Sequence, residues 1–303
     1  LEDETPRRAR TMAEAREIGA RMAAPGDVGR SIASYRPRST DIVISPFAKC
    51  GTTWLQQAFH TLRTGGDMDF DDISRVVPWI ENARLLGIDL EAPQRAEPLG
   101  FKSHLSYDRI PKGARYVVSL RDSKDALVSM YRFFEGWRLE PGAVSIGEFA
   151  EGWLAERDDG SGYWNHLVSW WEQRENPDVL LLSYEHMTVE PEANMRRLAA
   201  FCGIALDDDL LALTLERSSL AFMLAHKDRF DDLMMRKVSE ERGRLPAGGD
   251  SAKVRKGGVG GYRHELPPNL AAEMDAMWAK VITSKLGFAD YSALERELRL
   301  RAA

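Results

Sequence analysis

The stretch IVISPFAKCGTTW, residues 42 to 54, constrains this chain more than any other. Ile42, Val43 and Ile44 form an apolar, β-branched run that reads as a buried strand. A short turn carrying Lys49 and Gly51 follows, and Thr52 and Thr53 lead into an apolar helical pattern at Trp54. The first N–H groups of a helix have no partner within it, and the helix dipole favours negative charge at that end. A strand that feeds a small-residue loop into a helix therefore builds a cradle for an anion.

Residue order separates this cradle from a triphosphatase loop, which places Lys and Ser/Thr after its last glycine. Here Lys49 precedes Gly51, and no lysine stands where a γ-phosphate would be held. The strand–loop–helix is P-loop-like in form and suited to a phosphate-like group, but not to ATP hydrolysis.

The strand signal recurs. Leu99 to Lys102, Arg115 to Leu120 and Val179 to Ser183 are short apolar runs like Asp41 to Ser45. Helical patterns cover Arg7 to Met22, Thr53 to Arg63, Asp125 to Phe134, Ile146 to Leu154, Trp164 to Arg174 and Pro191 to Cys202. Nearly all-apolar strands alternating with helices predict an α/β fold, with a central, mostly parallel sheet flanked by helices. No repeat or interior linker divides the 303 residues, so a single domain is expected over 1 to 303, with 1 to 40 as an N-terminal helical extension. Residues 227 to 261 are charge-rich and then carry PAGGD and RKGGVGG; a mobile surface segment is expected there, serving as lid and cofactor loop.

Composition removes several classes. A net charge of −6 is the wrong sign for a protein held to nucleic acid by its phosphates. No apolar run approaches the roughly 20 residues of a membrane span, and the N-terminal residues lack the apolar centre of a signal peptide. Two cysteines, Cys50 and Cys202, can supply neither a disulfide framework nor a four-cysteine zinc site, and a reduced cytoplasmic setting is expected. The six histidines show no HxxxH or HxxE spacing, so no metal is expected. A GxSxG elbow is missing, and GGVGG follows no strand, which argues against a serine hydrolase and a dinucleotide fold.

Three further groups sit where an open α/β sheet places ligands, beyond the carboxyl ends of strands. Lys102 and His104 follow one strand, and histidine is the default proton acceptor near neutral pH. Arg121 follows another, with Ser129 about two helical turns beyond; a guanidinium fork and a hydroxyl suit a phosphate. Arg255, Lys256 and Gly257 head a glycine-rich run through which backbone can approach an anion. Taken alone, Lys102 with His104 reads first as a surface Lys and a hydrogen-bonded His, and the Arg255 run as a flexible basic loop, while Arg121 with Ser129 reads equally well as a salt-bridged Arg and a buried helix Ser.

Taken in order, these segments resemble the cytosolic-type sulfotransferases, which use 3′-phosphoadenosine 5′-phosphosulfate (PAPS). The family pattern runs YPKSGTTW, KTHLP, ARNxKDxxVSxYxF, YExM and RKGxxGDWK. This chain has FAKCGTTW (47–54), KSHLS (102–106), LRDSKDALVSMYRF (120–133), SYEHM (183–187) and RKGGVGGYR (255–263). The resemblance implies a metal-free transfer of a sulfuryl group, releasing adenosine 3′,5′-bisphosphate (PAP). It implies that Lys49 and Lys102 contact the 5′-phosphosulfate, cradled by Cys50, Gly51, Thr52 and Thr53. Arg121, Ser129, Arg255, Lys256 and Gly257 would hold the 3′-phosphate. Trp54 would stack on adenine with Tyr184 and Ser218 at its edge. His104 would be the base, with Lys49, Lys102 and Ser129 beside it in the catalytic set.

The chain departs from that pattern in places. Cys50 replaces Ser, Ala48 replaces Pro, Leu220 stands where an aromatic often faces adenine, and Gly261-Tyr262 replace Asp-Trp. The family's dimer motif KxxxTVxxxE is not seen after residue 263, which leaves the oligomeric state open. For a small-molecule acceptor hydroxyl or amine, Phe47, Trp79, Phe133, Phe134, Trp137, Tyr163 and Met223 are the candidate pocket residues; they favour an apolar or aromatic alcohol, while the sequence does not separate a phenol, a sterol, a lipid alcohol or a sugar hydroxyl. A small-molecule kinase and a non-enzymatic nucleotide-binding protein are the competing readings. The missing GK[ST] opposes the first, and the presence of both Lys49 and His104 opposes the second.

Overall fold

The computed structural model describes residues 5–155, 161–251 and 253–301. At its centre is a four-stranded, all-parallel sheet in the order β2-β1-β3-β4, with β1 Ile42–Ile44, β2 Gly100–Lys102, β3 Arg115–Leu120 and β4 Val179–Ser183. Ile42 pairs with Gly100 on one side and Arg115 on the other, and Tyr116 pairs with Val179. Strand β1 is an inner strand with every residue buried, which explains its unbroken apolar sequence.

Alternate strand residues feed two cores. Val43, Phe101 and Val118 pack with Trp164, Trp170 and Ile282 on one face. Ile42, Ile44 and Val117 pack with Leu55, Phe59 and Leu198 on the other. A third cluster joins Ile18, Met22, Val128, Tyr131, Trp137, Met235, Val238 and Met274. It ties together helices α1 (Met12–Met22), α3 (Ser123–Trp137) and α4 (Leu233–Glu241), while α2 (Thr52–Thr64) follows β1.

Where element limits depart from the sequence reading, capping decides them. Helix α1 starts at Met12 rather than Arg7, because the Thr11 hydroxyl accepts from the Glu14 N–H. The residues before it are extended: Ala9 N–H donates to the Arg138 carbonyl and Glu140 N–H to the Ala9 carbonyl, both at 2.8 Å. Helix α3 begins at Ser123 because Asp122 caps it, and it continues past Phe134 to Trp137. The expected helix at Trp164 to Arg174 runs over Tyr163–Trp171.

Residues 227 to 261 are not only a surface segment. Their helix α4 buries Met235 and Val238, and Phe230 and Leu245 are buried beside it. The chain then adds helices at Pro268–Met277 and Tyr291–Leu300, joined through a π-helical stretch at Trp278–Thr283. Among the described residues no helix is long and apolar enough to cross a membrane.

Candidate active site

The carboxyl ends of β1, β2 and β3 open into a cavity of about 1250 Å³. It is lined by Lys49, Gly51, Thr52, Thr53, Trp54, Lys102, His104, Arg121, Ser129, Tyr184, Ser218, Arg255, Lys256 and Gly257. One space thus brings together four segments that are far apart in the chain.

The β1–α2 loop forms the floor. Lys49 has φ 69° and Gly51 φ 98°, so the backbone turns sharply on either side of Cys50. At Gly51 a Cβ would meet the Tyr184 ring at 3.0 Å and the Ser119 hydroxyl at 3.1 Å, so glycine alone fits both the angle and the space. The N–H groups of Gly51, Thr52 and Thr53 make no hydrogen bond among the described residues, and α2 has no side-chain cap. The 13-residue helix thus presents its open end to the cavity.

Two lysines line the same cavity without a carboxylate within 4 Å among the described residues. The Lys49 ammonium lies 4.6 Å above the Phe133 ring, and that of Lys102 lies 3.6 Å above Trp79. Burial, with Lys253 next, holds Lys49 down to about 7 and Lys102 to about 8. Lys253 is paired with Asp232 at 2.5 Å, and both side chains are under a tenth exposed. For Asp232, burial pushes the carboxyl up, but Lys253, Lys102 and Lys49 outweigh it and hold it at about 2.

His104 is fixed by two contacts. Its backbone N–H donates to Glu81 at 2.6 Å, and its Nδ1 lies 2.8 Å from the Pro46 carbonyl. A carbonyl only accepts, so Nδ1 carries the proton and Nε2 keeps its lone pair. Burial first, then Lys102, keeps the ring well below its ordinary basicity and therefore neutral at pH 7.

Arg121 joins the two ends of the site. It donates to the Lys49 carbonyl at 2.7 Å and to the Gly258 carbonyl at 3.1 Å, and lies 4.1 Å over the Tyr184 ring. Asp125 anchors the glycine-rich loop by accepting from Gly260 N–H at 2.6 Å and Tyr262 N–H at 3.0 Å. Arg255 leans on Glu265 at 3.8 Å, whereas the Lys256 side chain is mostly exposed. Ser218 donates to the Thr214 carbonyl at 2.6 Å, so toward a ligand its hydroxyl serves as an acceptor.

Trp79, Phe133, Phe134, Trp137 and Met223 line the same cavity, but Phe47 and Tyr163 do not. Phe47 packs edge-on against Trp153 and Tyr163, and the Tyr163 hydroxyl donates to the Arg121 carbonyl at 2.5 Å. Both rings brace the site from behind. The Cys50 side chain is also turned into the core, where burial pushes its thiol up to about 12. Asp125 and Lys253 escaped the sequence reading, and Asp232, part of an acidic pair that reads as a solvated face, is buried instead. Asp125 lies inside the quoted KDALVS run and Lys253 two residues before Arg255, and those positions were the available signal. Among the described residues no three His, Cys, Asp or Glu side chains gather as a metal site.

Comparison with known proteins identifies the family. A sulfotransferase domain model matches residues 39–286. Luciferin sulfotransferase of Photinus pyralis is 25% identical over 294 residues, covering 85% of this chain and 75% of the relative. Sulfotransferase 1B1 of Mus musculus is 26% identical over 265 residues, covering 82% and 85%. In fold, the chain is similar to mouse sulfotransferase SULT7A1 complexed with PAP, with TM-score 0.68, 19% identity, and 92% and 95% of the two chains covered. It is also similar to retinol dehydratase in complex with androsterone and PAP, with TM-score 0.67, 19% identity, and 86% and 85% covered. With the domain model spanning most of its length, the chain belongs to the sulfotransferase family.

Proposed function

We propose that this sulfotransferase takes its sulfuryl group from PAPS and passes it, without a metal, to the hydroxyl of an apolar or aromatic acceptor. The observation that carries this reading is one cavity holding two desolvated lysines, an open helix end and a neutral histidine with a free Nε2. Solved relatives of the same fold were crystallised with PAP. Unpaired groups in the cavity also fit such a donor: Thr52 Oγ1, Trp54 Nε1 and Arg121 Nε are buried without partners. Two free, buried cysteines are in keeping with a reducing cytoplasmic compartment.

The donor supplies an activated sulfuryl group. Thr52, Thr53 and the Gly51 amide would hold its 5′ end, and Arg121, Ser129, Arg255, Lys256 and Gly257 its 3′-phosphate. Trp54 and Tyr184 would flank the base, with Ser218 at its edge. In the transfer the sulfur–oxygen bond to the 5′-phosphate breaks while a bond to the acceptor oxygen forms. Charge builds on the bridging oxygen, and Lys49 and Lys102 offset it from a site where little solvent rearranges. His104 Nε2 takes the acceptor's proton. Its basicity rises once negative charge occupies the cradle, so the base is strongest when both substrates are in place.

Calorimetric titration with PAP and with ATP, each with and without Mg²⁺, tests this reading. Metal-independent binding of PAP is expected. Binding of ATP with Mg²⁺ and none of PAP would replace it with a kinase.

A further inference from the structure

One cation in the acceptor half of the cavity has no bonded counterpart: Asp232 attracts it, but Lys253 already holds that carboxylate. Arg138, the C-cap of α3, lines the cavity. Its guanidinium rests over the Trp137 ring at 4.5 Å and the Phe134 ring at 5.4 Å. Nε is fully buried without a partner, and among the described residues the guanidinium makes no hydrogen bond or ion pair. The three carboxylates lining the same cavity are occupied: Asp232 by Lys253, Asp125 by two backbone N–H groups and Glu265 by Arg132. The other cavity arginines have partners. Arg121 bonds two carbonyls, Arg132 pairs with Glu135 and Glu265, and Arg255 leans on Glu265.

The position of Arg138 separates it from the donor. Ser129, Phe133 and Trp137 share one face of α3 at i, i+4 and i+8, and Arg138 follows. Phe133 carries the Lys49 ammonium and so marks the transfer centre. At 1.5 Å per residue, Arg138 lies about 7.5 Å beyond Phe133 along the axis, on the side away from Ser129. A desolvated guanidinium between aromatic walls is a planar fork for a carboxylate.

We infer that the acceptor is a hydroxylated apolar acid, whose carboxylate is held by Arg138 while its hydroxyl faces His104. This rests on the sulfotransfer reading above and names its substrate class. The apolar walls contact the body of the acid, and Arg138 sets its direction in the cavity.

The test is binding to the whole protein, read by calorimetry, with and without PAP. The probes are para-hydroxybenzoate, hydroxyphenylpropionate and hydroxydodecanoate, each beside its neutral amide. At least one acid should bind roughly tenfold or more tightly than its amide, the scale of a hydrogen bond to a charged group. Arg138→Met should bring that acid down to the level of its amide, and Arg138→Lys should retain part of the difference. The inference is overturned if no acid is preferred over its amide by the unaltered protein, or if the preference survives in Arg138→Met. PAP affinity, measured in the same samples, reports separately on the donor. A protein that prefers the acid but does not bind PAP would keep this inference and sink the donor assignment.

Discussion

Replacing Asp232 by Asn isolates one charge in the middle of the cavity. The residue is 6% exposed and sits at φ 50°, a left-handed position that Asn occupies as readily as Asp. Shape and backbone are therefore preserved, and only the charge opposite Lys253 is lost. The carboxyl is held at about 2 against an ordinary 3.8. At about 1.4 kcal/mol per pH unit, that gap is worth about 2.5 kcal/mol of folding stability. A depressed carboxyl stabilises the fold above its unfolded value, so the contribution is complete at pH 7 and disappears as pH falls from about 4 towards 2. With an unfolding entropy of about 2.1 cal/mol/K per residue, Asp232→Asn should lower Tm by about 4 °C. Urea and thermal melts at pH 7 measure it, and the gap between the two proteins should narrow at acid pH. Saturating PAP should also narrow it, because a bound anion supplies the negative charge the three lysines have lost. An unchanged stability at pH 7 would refute the pairing. An equal cost with and without PAP would refute the claim that the pair belongs to the electrostatics of the donor site.

Three other outcomes are expected. His104→Ala should abolish sulfuryl transfer and leave PAP affinity nearly unchanged by calorimetry; a large loss of affinity would contradict its role as base. Lys49 and Lys102 are held near 7 and 8, so they shed protons as pH rises, and PAP must restore them on binding. PAP affinity should therefore fall between pH 7 and 9, with a binding heat that depends on buffer ionisation at pH 8; a buffer-independent heat contradicts this. Arg121→Ala should weaken PAP binding by about 1.5–3 kcal/mol, and an unaltered dissociation constant would move the 3′-phosphate elsewhere.

Much of the sheet and the donor site could be read before the structure. Strands β1, β3 and β4 are apolar because both faces of the sheet are covered, and composition alone exposes such runs. Gly51 and the residues around it form a local motif, so their arrangement is encoded in adjacent positions. Side-chain direction is different. Phe47 and Cys50 stand within the site's loop in sequence, and Tyr163 is an aromatic candidate, but all three point behind the cavity, and residue type does not reveal which way a side chain faces. Lys253 was also missed and Asp232 reads as part of a solvated acidic pair, since the 20 residues between them carry no periodicity that would announce their meeting. Arg138 follows an aromatic run that marks a pocket and buried core equally well.

The double grip of Arg121 has a consequence for how the protein is made. One carbonyl it holds belongs to Lys49 and the other to Gly258, separated by most of the polypeptide. Asp125, in helix α3 just after Arg121, fastens Gly260 and Tyr262 as well. A chain still emerging from the ribosome can assemble the sheet and the first loop. It cannot close this cavity until residues near 260 have cleared the exit tunnel. Polypeptides cut short before that point are left without the second wall.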